Sequence, residues 1–269
     1  MKANYRAFFG LKKEPFGADI PIKEIIQTQA LAGVWDRFEY TVRLGAIAVV
    51  TGEIGSGKST ALRYAIAKLH PSEYRWFYVI GTSGSILELY RQLMAMLGTE
   101  TASNSRAVMM GRIKKEIHRL VTDKKMKVVL IIDEASLLRL EVFTELHALL
   151  QFEQDAKPWL AVVLAGQASL IDKLMYRSCA PLASRVVARS HLEAIDRQGM
   201  EDYISHHLHI AGGQTNFYDT AAITAIHQGS GGLYRKANHL ARGALIAAAS
   251  EKSLTVTAEH VRLAATEIF

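Results

Sequence analysis

The chain has 269 residues, of which 49% are hydrophobic and 22% are charged, and its formal net charge is +6 at pH 7. These proportions are those of ordinary globular proteins, and they exclude a disordered, collagen-like or coiled-coil chain. The single cysteine, Cys179, cannot form an internal disulfide, so we expect a reducing, cytoplasmic environment. The first ten residues contain no apolar run of the length of a secretory signal, and no run in the chain approaches the length of a membrane span, so we expect no membrane partner.

Five short runs of β-branched or aromatic residues alternate with segments of helical period. This alternation is typical of an α/β fold whose parallel sheet is buried on both faces. One intervening helix is predicted to begin at Ser85, with Glu88 completing a capping box, and to end at Gly98. The predicted strands are 46–51, 76–80, 128–132, 160–165 and 185–192.

The character of the chain changes after Leu192, because strand-like runs stop and four helical segments follow. Thr257 is the predicted N-cap of the last segment. We therefore predict a nucleotide-binding α/β domain over residues 1–192 and a small helical lid over residues 193–269. The predicted helices of this lid are 196–210, 219–227, 234–249 and 258–268.

The segment between the first strand and the next helix reads Gly-Glu-Ile-Gly-Ser-Gly-Lys-Ser and fits the phosphate-loop pattern G-x-x-x-x-G-K-[ST]. In such a loop, backbone N–H groups surround phosphate oxygens, Lys58 reaches the β- and γ-phosphates, and Ser59 can hold Mg²⁺. The sequence therefore predicts that the chain binds ATP and Mg²⁺. The predicted nucleotide contacts are Gly52, Glu53, Ile54, Gly55, Ser56, Gly57, Lys58, Ser59 and Thr60.

Two acids, Asp133 and Glu134, follow the apolar strand 128–132. Asp133 is predicted to face Mg²⁺, and Glu134 is predicted to deprotonate the water that attacks the γ-phosphate. In the alternative interpretation these acids only start a helix, since Asp133 or Ser136 can serve as an N-cap.

Other polar residues occur where a phosphoryl-transfer site needs them. Gln167 follows the fourth strand and can sense the γ-phosphate or hold the water, and Arg235 heads a lid helix from which it can reach that phosphate. Arg185, at the start of the fifth strand, can enter a neighbour's site as an arginine finger, and Arg177 is its rival. An ordinary surface or turn role is the alternative for each of them.

An aromatic segment, Tyr5 to Phe16, precedes the first strand. Phe9 and Phe16 are predicted to contact the nucleotide by wrapping the adenine base, with residues 1–40 as the nucleotide-contacting N-terminal segment. The alternative is an aromatic tether that packs on the core.

Taken together, these motifs resemble those of AAA+ ATPases of the ExeA/GspA-type branch. The resemblance rests on Phe8 to Phe16, the phosphate loop, the Asp133–Glu134 pair, residues 165–167 and residues 232–235. It implies a five-stranded parallel sheet of order 5-1-4-3-2 with a helical lid. It also implies that Asp133 and Glu134 are the Walker B acids, that Gln167 and Arg235 are sensors 1 and 2, and that Arg185 lies near the finger position.

Within this branch, short soluble members are similar in role to the transposon helper ATPases MuB, TniB and TnsC. Because no membrane segment or peptidoglycan-binding region follows the lid, the resemblance implies an ATP-dependent, non-sequence-specific helper of DNA transposition. Its expected partners are further copies of itself in a ring or filament, double-stranded DNA and a transposase, and a pI of about 9.3 is compatible with a polyanion. The alternatives are a secretion-pathway ATPase that acts on the cell envelope and a slow ATP-binding switch.

Overall fold

A computed structural model of the chain describes residues 5–99, 101–213 and 216–267. They form two compact units. The sheet unit consists of Thr28–Gly52 and Lys58–Leu192, and the helical unit consists of residues 5–27, Glu53–Gly57 and residues 193–267.

The sheet unit contains all five strands and most of the helices. Every strand pair is parallel, and the order is β2-β3-β4-β1-β5, which confirms the implied order 5-1-4-3-2 read from the other edge. The strands are β1 (Ile47–Gly52), β2 (Tyr74–Ile80), β3 (Lys127–Asp133), β4 (Leu160–Gly166) and β5 (Val186–Leu192). The helices are α2 (Gln29–Leu44), α3 (Lys58–Ala67), α4 (Ile86–Leu97), α5 (Arg106–Thr122), α6 (Leu140–Leu150), α7 (Ser169–Met175) and α8 (Ala180–Ala183).

The central strands β1 and β4 are buried along their whole length, and β3 is buried after its first residue. Apolar side chains are therefore needed on both faces of these strands, which is why they read as continuous hydrophobic runs in the sequence. Parallel strands end at a common edge, so the segments that follow β1, β3 and β4 leave the sheet side by side. The register places Ile80 opposite Asp133 and Thr51 opposite Gly166.

The start of α4 differs in detail from its prediction. Ser85 is its N-cap and Gly98, at φ 68°, is its C-cap, but Ser85 makes no side-chain cap hydrogen bond. The predicted capping box is therefore absent, because the N–H of Glu88 already donates to the backbone oxygen of Ser85 at 3.0 Å. Helix α2 was not predicted from the sequence, and its N-cap Thr28 accepts a hydrogen bond from the N–H of Leu31.

The helical unit contains the four predicted C-terminal helices and one N-terminal turn of helix. Thr257 caps the last helix in a capping box with His260, as a predicted N-cap should. The predicted end of that helix, Ile268, lies outside the described residues. The helices are α1 (Tyr5–Phe8), α9 (Arg197–Ile210), α10 (Thr220–Ser230), α11 (Tyr234–Ser250) and α12 (Ala258–Ala265).

The N-terminal segment groups with the helical unit, whereas the predicted α/β domain of residues 1–192 includes it. Hydrogen bonds to the helices explain this grouping. Lys12 donates its N–H to the oxygen of Ala211 at 2.8 Å, and the Arg242 guanidinium donates to the oxygen of Phe16 at 2.6 Å. Among the described residues, no helix is both long enough and apolar enough to cross a membrane.

Candidate nucleotide site

The loop Glu53–Gly57 has the backbone of a phosphate cradle. Gly55 and Gly57 have φ values of 87° and 95°, which side-chain-bearing residues rarely adopt. A Cβ on Gly55 would lie 2.8 Å from the Cβ of Arg235, so only glycine fits there. Ser56 is 2% exposed, and its Oγ has no hydrogen-bond partner among the described residues. A buried hydroxyl without a partner is costly, and a phosphate oxygen would supply one.

Lys58 begins α3 and is buried, although lysine is almost always exposed in proteins. Its Nζ donates a hydrogen bond to the backbone oxygen of Gly52 at 2.9 Å. The ammonium therefore lies beside Gly52, the last residue of β1, after which the phosphate loop begins. A charge held there is placed to contact the terminal phosphates of a nucleotide.

Ser59 and Asp133 meet although 74 residues separate them in the chain. Ser59 Oγ donates to Asp133 Oδ2 at 2.7 Å, and the Tyr78 hydroxyl donates to the same oxygen at 2.5 Å. Asp133 Oδ1 accepts the N–H of Glu134 at 2.9 Å. Burial and the hydrogen bond to Asp133 raise the pKa of Tyr78 above its usual value, so this phenol remains a donor at neutral pH. A serine hydroxyl beside a carboxylate is a donor set that suits Mg²⁺.

Glu134 has a left-handed backbone, with φ 54° and ψ 32°. Such a conformation is uncommon outside glycine and indicates strain that the surroundings must hold in place. Gly81 provides one such restraint, since its N–H donates to the oxygen of Asp133 at 2.6 Å. A Cβ on Gly81 would come within 2.7 Å of the oxygen of Glu134. The approach of these two segments therefore requires glycine at position 81.

The turn after the acid pair is tied to the end of β4 and to α7. Lys173 Nζ donates to the oxygens of Ser136 and Leu138 at 2.6 and 2.7 Å, and the N–H of Gln167 donates to Ser136 Oγ at 3.3 Å. Gly166 permits this contact, because a Cβ there would lie 2.8 Å from the nitrogen of Ser136. Gln167 is thereby held beside the Glu134 turn, as a residue that senses phosphate or holds water would need to be.

The three candidate arginines lie in different surroundings. Arg235 is exposed, and its N–H donates to the oxygen of Gly55 at 3.3 Å, which holds it beside the phosphate loop. Arg185 forms an ion pair with Asp155, and its own oxygen accepts the N–H of Ile47 at the start of β1. It therefore lies at the amino end of the sheet, roughly 16–20 Å from the end of β1 at 3.3 Å per residue. Arg177 is exposed and has no ion pair within the described part of the chain.

The rings of Phe9 and Phe16 lie in the core of the helical unit and are 6% and 1% exposed. Phe9 packs against Phe217 at 4.7 Å, and Phe16 stacks on His207 at 5.3 Å between ring centroids. Rings enclosed in this way do not present a face to a base. The geometry therefore favours the core-packing alternative for both, because their apolar surface is already covered by protein.

Sequence reasoning missed three residues at the end of the sheet, namely Tyr78, Gly81 and Lys173. Tyr78 lies in a predicted strand that was recognised by its aromatic and β-branched residues alone. The one signal in the sequence was that a tyrosine, which carries a hydroxyl, lies near the carboxyl end of that strand. Gly81 directly follows the same strand, where a glycine can mark a close approach of two backbones. No sequence pattern indicates a role for Lys173. Its partners are the backbone oxygens of Ser136 and Leu138, which point toward it only after the turn has folded.

The strand order, the phosphate loop and the acid pair after β3 define an α/β P-loop protein with the AAA+ fold. Residues 42–174 match the family model described as an AAA domain. Among particular proteins, the chain is similar to general secretion pathway protein A of Aeromonas hydrophila, with 30% identity over 270 residues. That match covers 98% of this chain and 48% of the relative, so the chain spans about half the length of that protein.

Solved structures with this fold include proteins of low sequence identity. Cdc6p of Pyrobaculum aerophilum superposes with a TM-score of 0.70 at 16% identity, over 98% of this chain and 71% of that one. The Aeropyrum pernix ORC1 protein in complex with DNA gives a TM-score of 0.68 at 15% identity, over 94% of this chain and 68% of that one. These likenesses concern the fold. The secretion relative supports the resemblance to the ExeA/GspA-type branch, whereas no comparison described above supports the resemblance to transposon helpers.

Proposed function

We propose that the chain binds ATP with Mg²⁺ and hydrolyses ATP to ADP and phosphate. The observation that carries this proposal is the 2.7 Å hydrogen bond between Ser59 Oγ and Asp133 Oδ2. It joins the end of the phosphate loop, which follows β1, to a buried carboxylate at the end of β3, although β4 lies between these two strands. A purely structural pair of acids that started a helix would have no need of Ser59.

The residues present fit both the nucleotide and the metal. The loop N–H groups and Lys58 would bind the phosphates, the partnerless Ser56 hydroxyl would gain an acceptor, and Ser59 and Asp133 would hold Mg²⁺. Bound Mg²⁺ would neutralise charge that develops on the phosphate oxygens. Lys58 and Asp133 are both buried, and charged side chains are seldom buried without a charged partner or ligand.

Glu134 is the proposed general base. Its carboxylate accepts a proton from the attacking water while the water oxygen bonds to the γ-phosphorus and the bond to the bridging oxygen of ADP breaks. Gln167, which is held beside the same turn, orients that water or the γ-phosphate. Arg235 is held beside Gly55 by its backbone and contacts the γ-phosphate through its exposed guanidinium.

Arg185 is proposed to act on a second copy of the chain. Since it lies at the opposite end of β1 from the phosphate-binding residues Gly52 and Lys58, it cannot reach those residues of its own chain. An ATP-dependent homo-oligomer would bring the arginine of one subunit to the site of the next. Arg177 remains the rival residue for this role.

For the biological role, we propose an ATPase of the secretion-pathway type. The 30% identity to general secretion pathway protein A over nearly the whole chain supports this role over a transposition helper. The similarity to a DNA-bound ORC1 protein concerns the fold, which many functions share. Because the match covers 48% of that relative, the proposed role refers only to the matched part of it.

Steady-state phosphate release tests the ATPase proposal. The Glu134→Gln variant should bind ATP with wild-type affinity and hydrolyse it at least about 100-fold more slowly, because an amide cannot accept the proton. The Lys58→Ala variant should lose tight binding. Glu141→Gln, which changes an exposed acid on α6, is the matched control and should hydrolyse normally. Wild-type turnover by Glu134→Gln would refute the assigned base.

Export and DNA binding separate the two biological roles. Deletion of the gene should reduce protein export by its host, and the wild-type gene, but not the Glu134→Gln gene, should restore it. Fluorescence anisotropy with a random duplex of about 60 base pairs provides the opposing test, since such a duplex offers phosphates to several subunits. ATP-dependent binding that weakens steeply with salt, together with normal export, would reverse the preference in favour of the transposition role.

A further inference from the structure

Among the described residues, three hydrogen-bond donors surround the carboxylate of Asp133. Oδ2 accepts from Ser59 at 2.7 Å and from Tyr78 at 2.5 Å, and Oδ1 accepts the N–H of Glu134 at 2.9 Å. Ser59 is itself a proposed metal ligand, and the Glu134 N–H belongs to the residue next in the chain. Tyr78 is therefore the one donor of the three that comes from a separate strand and is not part of the proposed machinery.

We propose that Tyr78 is a positioning residue for the divalent metal, because its hydroxyl fixes the rotation of the Asp133 carboxylate toward Ser59. This inference rests on the proposed function, since it concerns the same metal site. An aspartate carboxylate turns readily about its terminal torsion, which is broad and roughly two-fold. A second donor on Oδ2 restricts that rotation. Residues that hydrogen-bond to metal ligands typically change metal affinity or activity by 10- to 100-fold when they are removed.

The register of the sheet explains how the phenol reaches the acid. Tyr78 pairs with Ile131 on β3, two residues before Asp133. Two residues along a strand correspond to about 6.6 Å, a span that a tyrosine covers by leaning along the strand direction. Phenylalanine would fill the same space on β2 without a donor. The hydroxyl is the part of Tyr78 that hydrogen-bonds to Asp133 Oδ2, so we assign the role to the hydroxyl and not to the ring.

A purely structural role for Tyr78 makes a different prediction. If the hydroxyl only satisfies a buried carboxylate, its removal should lower stability and leave the metal dependence of nucleotide binding unchanged. If it positions the metal ligand, its removal should shift the Mg²⁺ requirement and leave metal-independent nucleotide binding unchanged. Metal dependence therefore separates the two roles.

The experiment measures binding of an ATP analogue with a fluorescent N-methylanthraniloyl group to the full chain during Mg²⁺ titration. For Tyr78→Phe, the Mg²⁺ concentration at half-maximal enhancement of binding should rise about 10-fold or more. Binding in EDTA should stay within about twofold of wild type, as expected for a variant that keeps the phosphate loop intact. Tyr74→Phe, which lies four residues earlier on β2 beside Lys127, is the matched control and should titrate like wild type.

A second variant that lacks the hydroxyl keeps the test decisive if Tyr78→Phe does not fold. Tyr78→Met also lacks the donor, and its flexible side chain fills irregular space, so the same shift is expected. An unchanged Mg²⁺ midpoint in a folded donor-free variant would overturn the positioning role while leaving the ATPase proposal intact. Wild-type protein that binds the analogue without any dependence on Mg²⁺ would instead overturn the proposed metal site itself.

Discussion

Left-handed residues other than glycine occur at both ends of the described sheet. At the carboxyl end Glu134 follows a buried strand, whereas at the amino end three such residues share an exposed loop. Those three, Glu153, Gln154 and Asp155, lie between α6 and β4. Each left-handed residue other than glycine costs roughly 1–2 kcal/mol, so both ends contain strain.

What differs between the two ends is which parts of the chain supply the groups that hold the strained backbone. Around Glu134, hydrogen bonds from Gly81, Lys173 and Gln167 reach its neighbours in the chain. At the amino end, most of the restraint is local, because the N–H groups of Ala156 and Lys157 donate to oxygens of the same loop. An ion pair between Asp155 and Arg185, both of which are partly exposed, adds to these hydrogen bonds. Strain that is restrained from several sides is typical of a functional site, whereas strain in an exposed loop is more typical of a tight turn. The comparison therefore assigns chemistry to the carboxyl end.

The largest expected effect is a loss of ATP hydrolysis when Arg185, at the amino end of the sheet, is replaced. It tests whether this end acts on the site of a second subunit. Arg185→Ala should bind ATP normally and hydrolyse it about 100-fold more slowly, because the finger is missing from the neighbouring site. Asp155→Ala should hydrolyse at the wild-type rate or faster, since it releases Arg185. Phosphate release at high protein concentration is the measurement.

Two further results decide between the candidate fingers. Mixing Arg185→Ala with Lys58→Ala should restore part of the activity, because one protein supplies the intact site and the other supplies the arginine. If Arg177→Ala is inactive while Arg185→Ala hydrolyses normally, the finger is Arg177. Sedimentation as a monomer with ATP and Mg²⁺ at high protein concentration would argue against either assignment.

The next effect tests the close approach at the carboxyl end. Gly81→Ala places a methyl group against the oxygen of Glu134, which must move. Forced backbone shifts of this kind cost about 2 kcal/mol, and an equal loss in the transition state would slow hydrolysis about 30-fold. Gly111→Ala is the control, because a Cβ there meets nothing within 4 Å. Equal hydrolysis rates for the two variants would contradict the role given to Gly81.

A smaller effect is expected from the lysine that ties the turn to α7. Lys173→Met leaves the oxygens of Ser136 and Leu138 without their donor, which should lower the free energy of unfolding by about 1–2 kcal/mol. Hydrolysis should fall about tenfold while ATP affinity is unchanged. Denaturant unfolding and phosphate release measure the two effects. Lys115→Met, at an exposed position on α5, should change neither.

The smallest effect concerns pH and the amino end. Burial and the nearby charge of Arg185 lower the pKa of His147, so the unfolded chain takes up this proton at a higher pH than the folded chain does. Stability should therefore fall as the pH drops below about 6.5. Thermal unfolding at pH 7.5 and 5.5 should show a smaller drop for His147→Gln than for wild type. An identical drop would mean that His147 does not contribute.

Much of the sheet could be predicted from the sequence, because buried parallel strands require continuous apolar runs and the acid pair interrupts one of them abruptly. The strand order came from the family resemblance, since hydrophobic pattern alone does not say which strands are neighbours. Thr257 could be predicted as a cap because its partner His260 is local in sequence.

The remaining features depend on contacts that no local pattern encodes. Ser85 and Glu88 match the sequence pattern of a capping box, but the N–H of Glu88 donates to the backbone oxygen of Ser85 and not to its side chain. The sequence allows Phe9 and Phe16 either to contact an adenine base or to pack in a hydrophobic core. Their burial in the core of the helical unit favours the second role. The left-handed backbone of Glu134 lies between hydrogen bonds from Gly81 and Lys173, which come from distant parts of the chain.

The position of β1 between β4 and β5 also has a consequence for biosynthesis. Ile47 pairs with Val162 and Val186, which are both more than a hundred residues further along the chain. At roughly 5–20 residues per second, the ribosome would make β1 on the order of 5–20 seconds before either partner strand is available. During that interval a strand that is apolar apart from Thr51 lacks its hydrogen-bond partners, which makes the nascent chain a natural client for chaperones that bind extended hydrophobic segments.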